Sequence, residues 1–143
     1  MSPKTLTSPA WYRIAVQALV VLAQSDGHCP SATIAENLET HAVFLRRVLA
    51  HLARVQIVEA REGRDGGYRL VRPAERITLG EIYRAVRQVE PDAEVETDGC
   101  LSARVKGVLD ELGAEAELRA LEALDRFTVA DVIERAGIPE THG

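Results

Sequence analysis

Residues 62–73, EGRDGGYRLVRP, gather three glycines and three arginines into one short stretch. The guanidinium groups of Arg64, Arg69 and Arg72 stay charged at any physiological pH, and their planar forks match the paired oxygens of phosphates and carboxylates. Glycine bends the backbone tightly and lets it approach another surface closely. The chemistry on offer is recognition of a negatively charged partner by a compact basic tip. The whole chain carries a formal net charge of -5, so this concentration is local. Between His41 and Pro73, arginines 46, 47, 54, 61, 64, 69 and 72 stand against Glu59, Glu62 and Asp65, an excess of four positive charges. From Val89 onward, five basic residues face fourteen acidic ones. Phosphate neutralisation is the main sequence-independent source of affinity for DNA, so the basic half points to double-stranded DNA as a partner.

The elements around the tip fit that expectation. IVEAR (57–61) and YRLVR (68–72) are strand-like runs flanking a glycine-rich turn, which predicts a β-hairpin. From Ala42 to Val55, the apolar residues Phe44, Leu45, Val48, Leu49 and Leu52 recur at three- and four-residue steps, as in a helix with one buried face. Its other face carries Arg46, Arg47, His51 and Arg54. Upstream, Ser31 is positioned to cap a short helix, SATIAENL, with Ile34, Ala35 and Leu38 on one side, and ETH (39–41) breaks the chain before the next helix. Two helices, a short break and a hairpin predict a winged helix-turn-helix. The candidate DNA-binding residues are Thr40 and His41 at the helix start, Arg46 and Arg47 on its outer face, and Arg61, Arg64, Gly66, Gly67 and Arg69 in the wing.

RIAVQALVVLAQS (13–25) superficially resembles a secretory signal, but Gln17 interrupts it and its apolar run is too short to span a bilayer. A core helix, with Ser8 as N-cap and Pro9 in the first turn, explains the same residues. Downstream, Thr78 and Glu81 have the spacing of a capping box heading TLGEIYRAV, with Leu79, Ile82, Tyr83 and Val86 on one stripe. EPDAEVETDG (90–99) reads as a solvated acidic loop, since its carboxylates lack the spacing of a calcium-binding loop. A long amphipathic helix is expected from Leu101 to about Arg126, with Leu101, Val105, Val108, Leu112, Leu118, Leu121 and Leu124 as apolar positions. Gly107 and Gly113, and a phase shift near the latter, predict a kink or break. A stripe longer than the local core needs a partner, either a second copy of the chain or the following FTVADVIERA segment.

The catalytic patterns sought are missing: no Ser/His/Asp or Cys/His order in a familiar context, no glycine-rich loop leading into a helix, no HExxH. No enzyme, metal site or cofactor is expected. Cys29 and Cys100 are too few for a disulfide framework and imply a reducing, cytoplasmic setting, with no membrane association. Cys100 is a candidate redox sensor or a small residue seating the long helix; Cys29 reads as structural or incidental.

YRIAVQALVVLA, IAENL, FLRRVLAHLARVQIVEAREGRDGGYRLVRP, ITLGEIYRAV, Cys100 and FTVADVI fall in an order and spacing that resembles the Rrf-two type of bacterial winged-helix regulators, over nearly the whole chain. The resemblance implies a mainly α-helical fold with a small β-hairpin wing: a winged helix-turn-helix domain at 1–88, an acidic sensor-type loop at 89–100, a dimerisation helix and final short helix at 101–137, and a flexible tail at 138–143. It implies a transcriptional regulator, of the repressor type, acting as a homodimer on a partly palindromic operator, with a small-molecule or protein effector as a further partner. A helical dimeric adapter without DNA binding is the rival expectation. The sequence departs from its relatives in three places. Cluster-binding members carry three cysteines in the loop matching 89–100, where this chain has only Cys100. The residue before the first wing glycine, usually Arg, is Glu62. The position of a base-reading glutamate in the iron–sulfur cluster regulator is Arg46.

Overall fold

The computed structural model describes residues 10–87 and 99–139. Its elements run α1 (Ala10–Ala23), α2 (Ser31–Leu38), α3 (Ala42–Arg54), β1 (Val58–Arg61), β2 (Gly67–Leu70), a 3-10 turn (Ala74–Arg76), α4 (Leu79–Val86), α5 (Cys100–Leu124) and α6 (Val129–Arg135). The expected residues Ser8 and Pro9, the acidic run up to Asp98 and residues 140–143 lie outside the described residues.

α1 is the central post. Trp11, Ala15, Ala18, Leu19 and Leu22 recur at helical spacing and are buried, together with Tyr12 and Val20. The helix packs against α2, α3, α4, α6 and β2. A helix covered on most sides must be apolar on most sides, which is why its sequence resembled a secretory signal. Among the described residues, no helix is long and apolar enough to cross a membrane. Leu19, Ile34, Leu45, Leu49, Leu52, Ile57, Ile77 and Ile82 fill the core with their side chains fully buried. Each contributes about 1.5–3 kcal/mol of transfer free energy.

The helix-turn-helix is closed by backbone geometry. α2 ends on Glu39 in the left-handed region (φ 51°), and the Thr40 N–H donates to the Ala35 carbonyl at 3.1 Å. A non-glycine residue there costs about 1–2 kcal/mol, which the packing of α2 and α3 against α1 offsets. Ser31 does not cap α2; Pro30 occupies the N-cap position without a side-chain bond and Ser31 is the first helical residue. The chain arrives extended because Cys29 is tied to the wing, and proline's fixed φ suits that entry.

The wing is an antiparallel hairpin in the register Val58↔Leu70, Glu59↔Arg69, Ala60↔Tyr68, Arg61↔Gly67. Cys29 adds a bridge on the far side: its N–H donates to the Tyr68 carbonyl, and the Tyr68 N–H donates back, both at 2.8 Å. No local pattern announces this bridge, and it accounts for Cys29 as a buried structural residue. It also explains Gly67, whose φ is 138° and where a Cβ would lie 2.3 Å from the Cys29 carbonyl oxygen.

Thr78 caps α4 through the Glu81 N–H at 3.2 Å, but the reciprocal half of the expected box is absent, because the Glu81 carboxylate pairs with Arg72 instead. A charged donor outcompetes a neutral backbone N–H. The complete box lies at Thr128 and Asp131, which heads α6 with bonds of 2.9 and 3.2 Å.

α5 is one continuous helix of 25 residues, about 38 Å long. The expected break near Gly113 does not occur: one glycine costs about 1 kcal/mol, too little to interrupt so long a run of helix formers. Cys100 is its first residue rather than the end of a loop. Bidentate bonds of 2.9 Å from Arg84 to Asp125, and one of 2.7 Å from Arg87 to Glu117, clip its C-terminal part to α4. Gly80 makes room for that clip, since a Cβ there would fall 1.8 Å from Asp125 Oδ1. Beyond α6, Ile138 packs against the core and the Pro139 carbonyl accepts from Gln24, so two residues expected in the tail are held.

Candidate nucleic-acid interface

α3 divides its residues by face. Leu45, Val48, Leu49 and Leu52 point inward and are fully buried, with Phe44 half-buried beside them. Helical spacing puts Val43, Arg46, Arg47, Ala50 and Arg54 together on the opposite side, and all are exposed. Arg46 donates a long bond of 3.4 Å from Nε to the Ala42 carbonyl. His41 is the exposed N-cap residue of α3, without a side-chain cap, and Thr40 next to it is half-buried.

The wing residues sort into two groups. Arg61 and Arg64 are exposed at the hairpin end and make no ion pair among the described residues. Arg69 pairs with Glu59 across the strands, and His28 Nε2 lies 3.9 Å from the same carboxylate. Part of its charge is therefore answered within the chain. Gly66 is buried, and a Cβ there would sit 2.2 Å from the Arg61 carbonyl oxygen. Together with Gly67, it shapes the tip instead of presenting a functional group. The structure thus brings Arg46 and Arg47 onto one helix face and Arg61 and Arg64 to one hairpin end.

Val43 escaped the sequence reading. It is 66% exposed on the outer face of α3, one turn before Arg46 and Arg47. It stands outside the stripe of buried residues, and that was the available signal.

Cys100 is exposed in the first turn of α5. A three-thiolate cluster does not fit this chain. Its second cysteine, Cys29, is buried and locked into the wing bridge, and α1 carries no His, Cys, Asp or Glu. Among the described residues no group of three such side chains converges.

A three-helix core with a helix-turn-helix and a two-stranded wing defines a winged helix-turn-helix protein. The chain belongs to the Rrf2 family, described as iron-dependent transcriptional regulators, whose model matches residues 10–135. The expected resemblance and fold class are borne out. The chain is 34% identical over 98 residues to the HTH-type transcriptional regulator NsrR of Shouchella clausii (strain KSM-K16), covering 62% of this chain and 61% of that protein. It thus spans about three fifths of that relative's length. Among solved structures, it is similar to T. potens IscR at 26% identity and a TM-score of 0.62, covering 90% of this chain and 87% of that one. CymR, the global cysteine regulator of B. subtilis, shares the fold at 23% identity and a TM-score of 0.66, over 92% and 98% of the two chains. The family consists of transcriptional regulators, not enzymes.

Proposed function

We propose that this Rrf2-family regulator is a cytoplasmic repressor that binds a partly palindromic operator as a homodimer. The observation that carries the proposal is the exposed outer face of α3, with Arg46 and Arg47 beside Val43, followed by a wing whose end holds Arg61 and Arg64. α3 enters the major groove, where Arg46 or Arg47 donates in bidentate fashion to guanine and Val43 meets a thymine methyl. Thr40 and His41 sit at the groove edge, and Arg61 and Arg64 contact phosphates, with Arg69 the weaker contributor. Gly66 and Gly67 give the wing its shape.

Homodimerisation finds support in α5. Leu101, Val105, Val108, Leu109 and Leu112 line one side of its first half and are 49–76% exposed. A second copy supplies the matching stripe, and its two-fold axis imposes the palindrome. Cys100, in the first turn of that helix, is where an oxidant would act on the spacing of the two recognition helices; otherwise a small molecule or protein serves as effector.

Selection of duplexes from a random pool tests this. Wild type is expected to enrich an inverted repeat with guanine in each half-site. Arg46→Ala should bind that repeat more weakly by about 1–3 kcal/mol and lose preference at one base pair per half-site. Enrichment of no motif, or of the same motif by both proteins with equal affinity, would refute the assignment.

A further inference from the structure

Past Tyr68, the outer side of β2 has no backbone partner among the described residues. The Val71 N–H donates to the Ile57 carbonyl at 3.0 Å, toward the first strand, whereas Tyr68 exchanges its two backbone bonds with Cys29 on the other side. The two directions alternate along a strand, so the N–H and C=O of Leu70 point the same way as those of Tyr68. In the register set by Cys29 and Tyr68, the residue opposite Leu70 would be Gly27. There the chain turns away with φ 71°, and a Cβ on Gly27 would meet nothing within 4 Å. Among the described residues, no backbone bond joins Gly27 to Leu70.

The gap opens into a cleft of about 1020 Å³ between the end of α1, the exit of β2 and α6, large enough for a ligand of several residues. Leu22, Val71, Ala130, Ile133 and Ile138 give it apolar walls, and Val71 is 47% exposed. Its charges are unequal. Arg69 and Arg72 line the cleft but are held by Glu59 and Glu81, which lie outside it. Glu75 and Glu134 also line it, and neither has an ion pair among the described residues. The uncompensated charge is therefore negative.

We propose that this cleft takes a short extended peptide, apolar at its centre and basic at its flanks, which joins the open edge of β2 by exchanging two backbone hydrogen bonds with Leu70. Strand addition of this kind uses a backbone donor and acceptor together and selects on side chains reaching the adjoining pocket. A purely apolar ligand would leave the Leu70 groups unpaired, and an acidic one would face Glu75 and Glu134. The occupant touches the wing strand and α6 at once. The site shares the wing strand and Arg69 with the DNA-binding face, but peptide binding there does not rest on DNA binding.

The test uses the full chain labelled with nitrogen-15 and an acetylated, amidated peptide of sequence KLIK, followed through backbone amide resonances. Saturable shifts at Gly27 and Leu70 are expected, with slowed solvent exchange of the Leu70 N–H. Two control peptides, ELIE and a KLIK methylated on both central amide nitrogens, should bind about tenfold more weakly or worse, as expected for adverse charge and for lost hydrogen bonds. No response at Leu70, or equal binding by either control, overturns the proposal.

Discussion

α1 buries seven of its fourteen residues, whereas α5, with 25 residues, buries only Leu121. Both helices carry apolar stripes at helical spacing. The first is covered by its own chain, since four helices, strand β2 and the 3-10 turn pack against it. Among the described residues, the second is covered near its end, where Leu121 and Leu124 are packed, while Leu101, Val105, Val108, Leu109 and Leu112 face outward. The difference teaches that periodicity locates an apolar face without saying what covers it. An outward stripe this continuous is unusual for a surface that stays in water.

Truncation should separate the two helices' neighbours most sharply. Leu49→Ala, in the core beneath α1, is expected to lower unfolding free energy by about 2–5 kcal/mol, read from denaturant midpoints. Leu109→Asp should leave the fold of the winged domain intact yet halve the mass measured by sedimentation equilibrium. A Leu109→Asp protein that remains a dimer would show that the stripe has another purpose.

Gly67→Ala comes next. The new methyl would meet the Cys29 carbonyl in a backbone region unfavourable to alanine, at a cost of about 1–3 kcal/mol. Its thermal midpoint should fall, and amide exchange at Tyr68 should quicken as the bridge to Cys29 loosens. An unchanged exchange rate at Tyr68 would remove the bridge from the account of the wing.

The smallest contrast lies in the titrations of one group on α1 and another at the end of α5. Burial, with Tyr83 nearby, pushes the Tyr12 hydroxyl up to about 12 from its usual 10.0. Its folded value exceeds the unfolded one, so the associated stability is present below about pH 10 and is lost as pH rises from there to about 12. The hydrogen bonds and charge of Arg84 hold the Asp125 carboxyl below its usual value. That contribution is present above the usual carboxylate range and is lost as pH falls through the folded value. An exposed pair contributes under about 1 kcal/mol, so Asp125→Asn should flatten acid unfolding only slightly. Ultraviolet titration should show an ionisation near pH 12 that Tyr12→Phe removes; a titration curve unchanged by that substitution would contradict the packing of Tyr12 against Tyr83.

The fold was legible wherever local periodicity and burial coincide. The stripe Leu45, Val48, Leu49 and Leu52 marked α3, and the glycines between two β-rich runs marked the wing. Long-range features were hidden. The Cys29 bridge to Tyr68 and the clip between Arg84 and Asp125 join residues far apart in sequence, and the diversion of Glu81 to Arg72 links α4 to the exit of the wing; nothing in the local pattern encodes their geometry. The path of α5 through Gly113 is without the expected break, because a glycine propensity of about 1 kcal/mol is small against the length of helix around it. At the candidate interface, residue types were legible at Arg46, Arg47, Arg61 and Arg64. The roles of Gly66 and Gly67 as shapers, and the partial neutralisation of Arg69 by Glu59, required coordinates.

The central claim, that the arginines of α3 and the wing neutralise DNA phosphates and read its bases, is tested most directly by titrating one duplex at several salt concentrations with wild type and Arg64→Ala. Wild-type affinity should fall linearly on a double-logarithmic plot, and Arg64→Ala should bind more weakly on specific and non-specific duplexes alike, with a slope shallower by about one. Affinity that does not change with salt, or identical slopes for the two proteins, would contradict it.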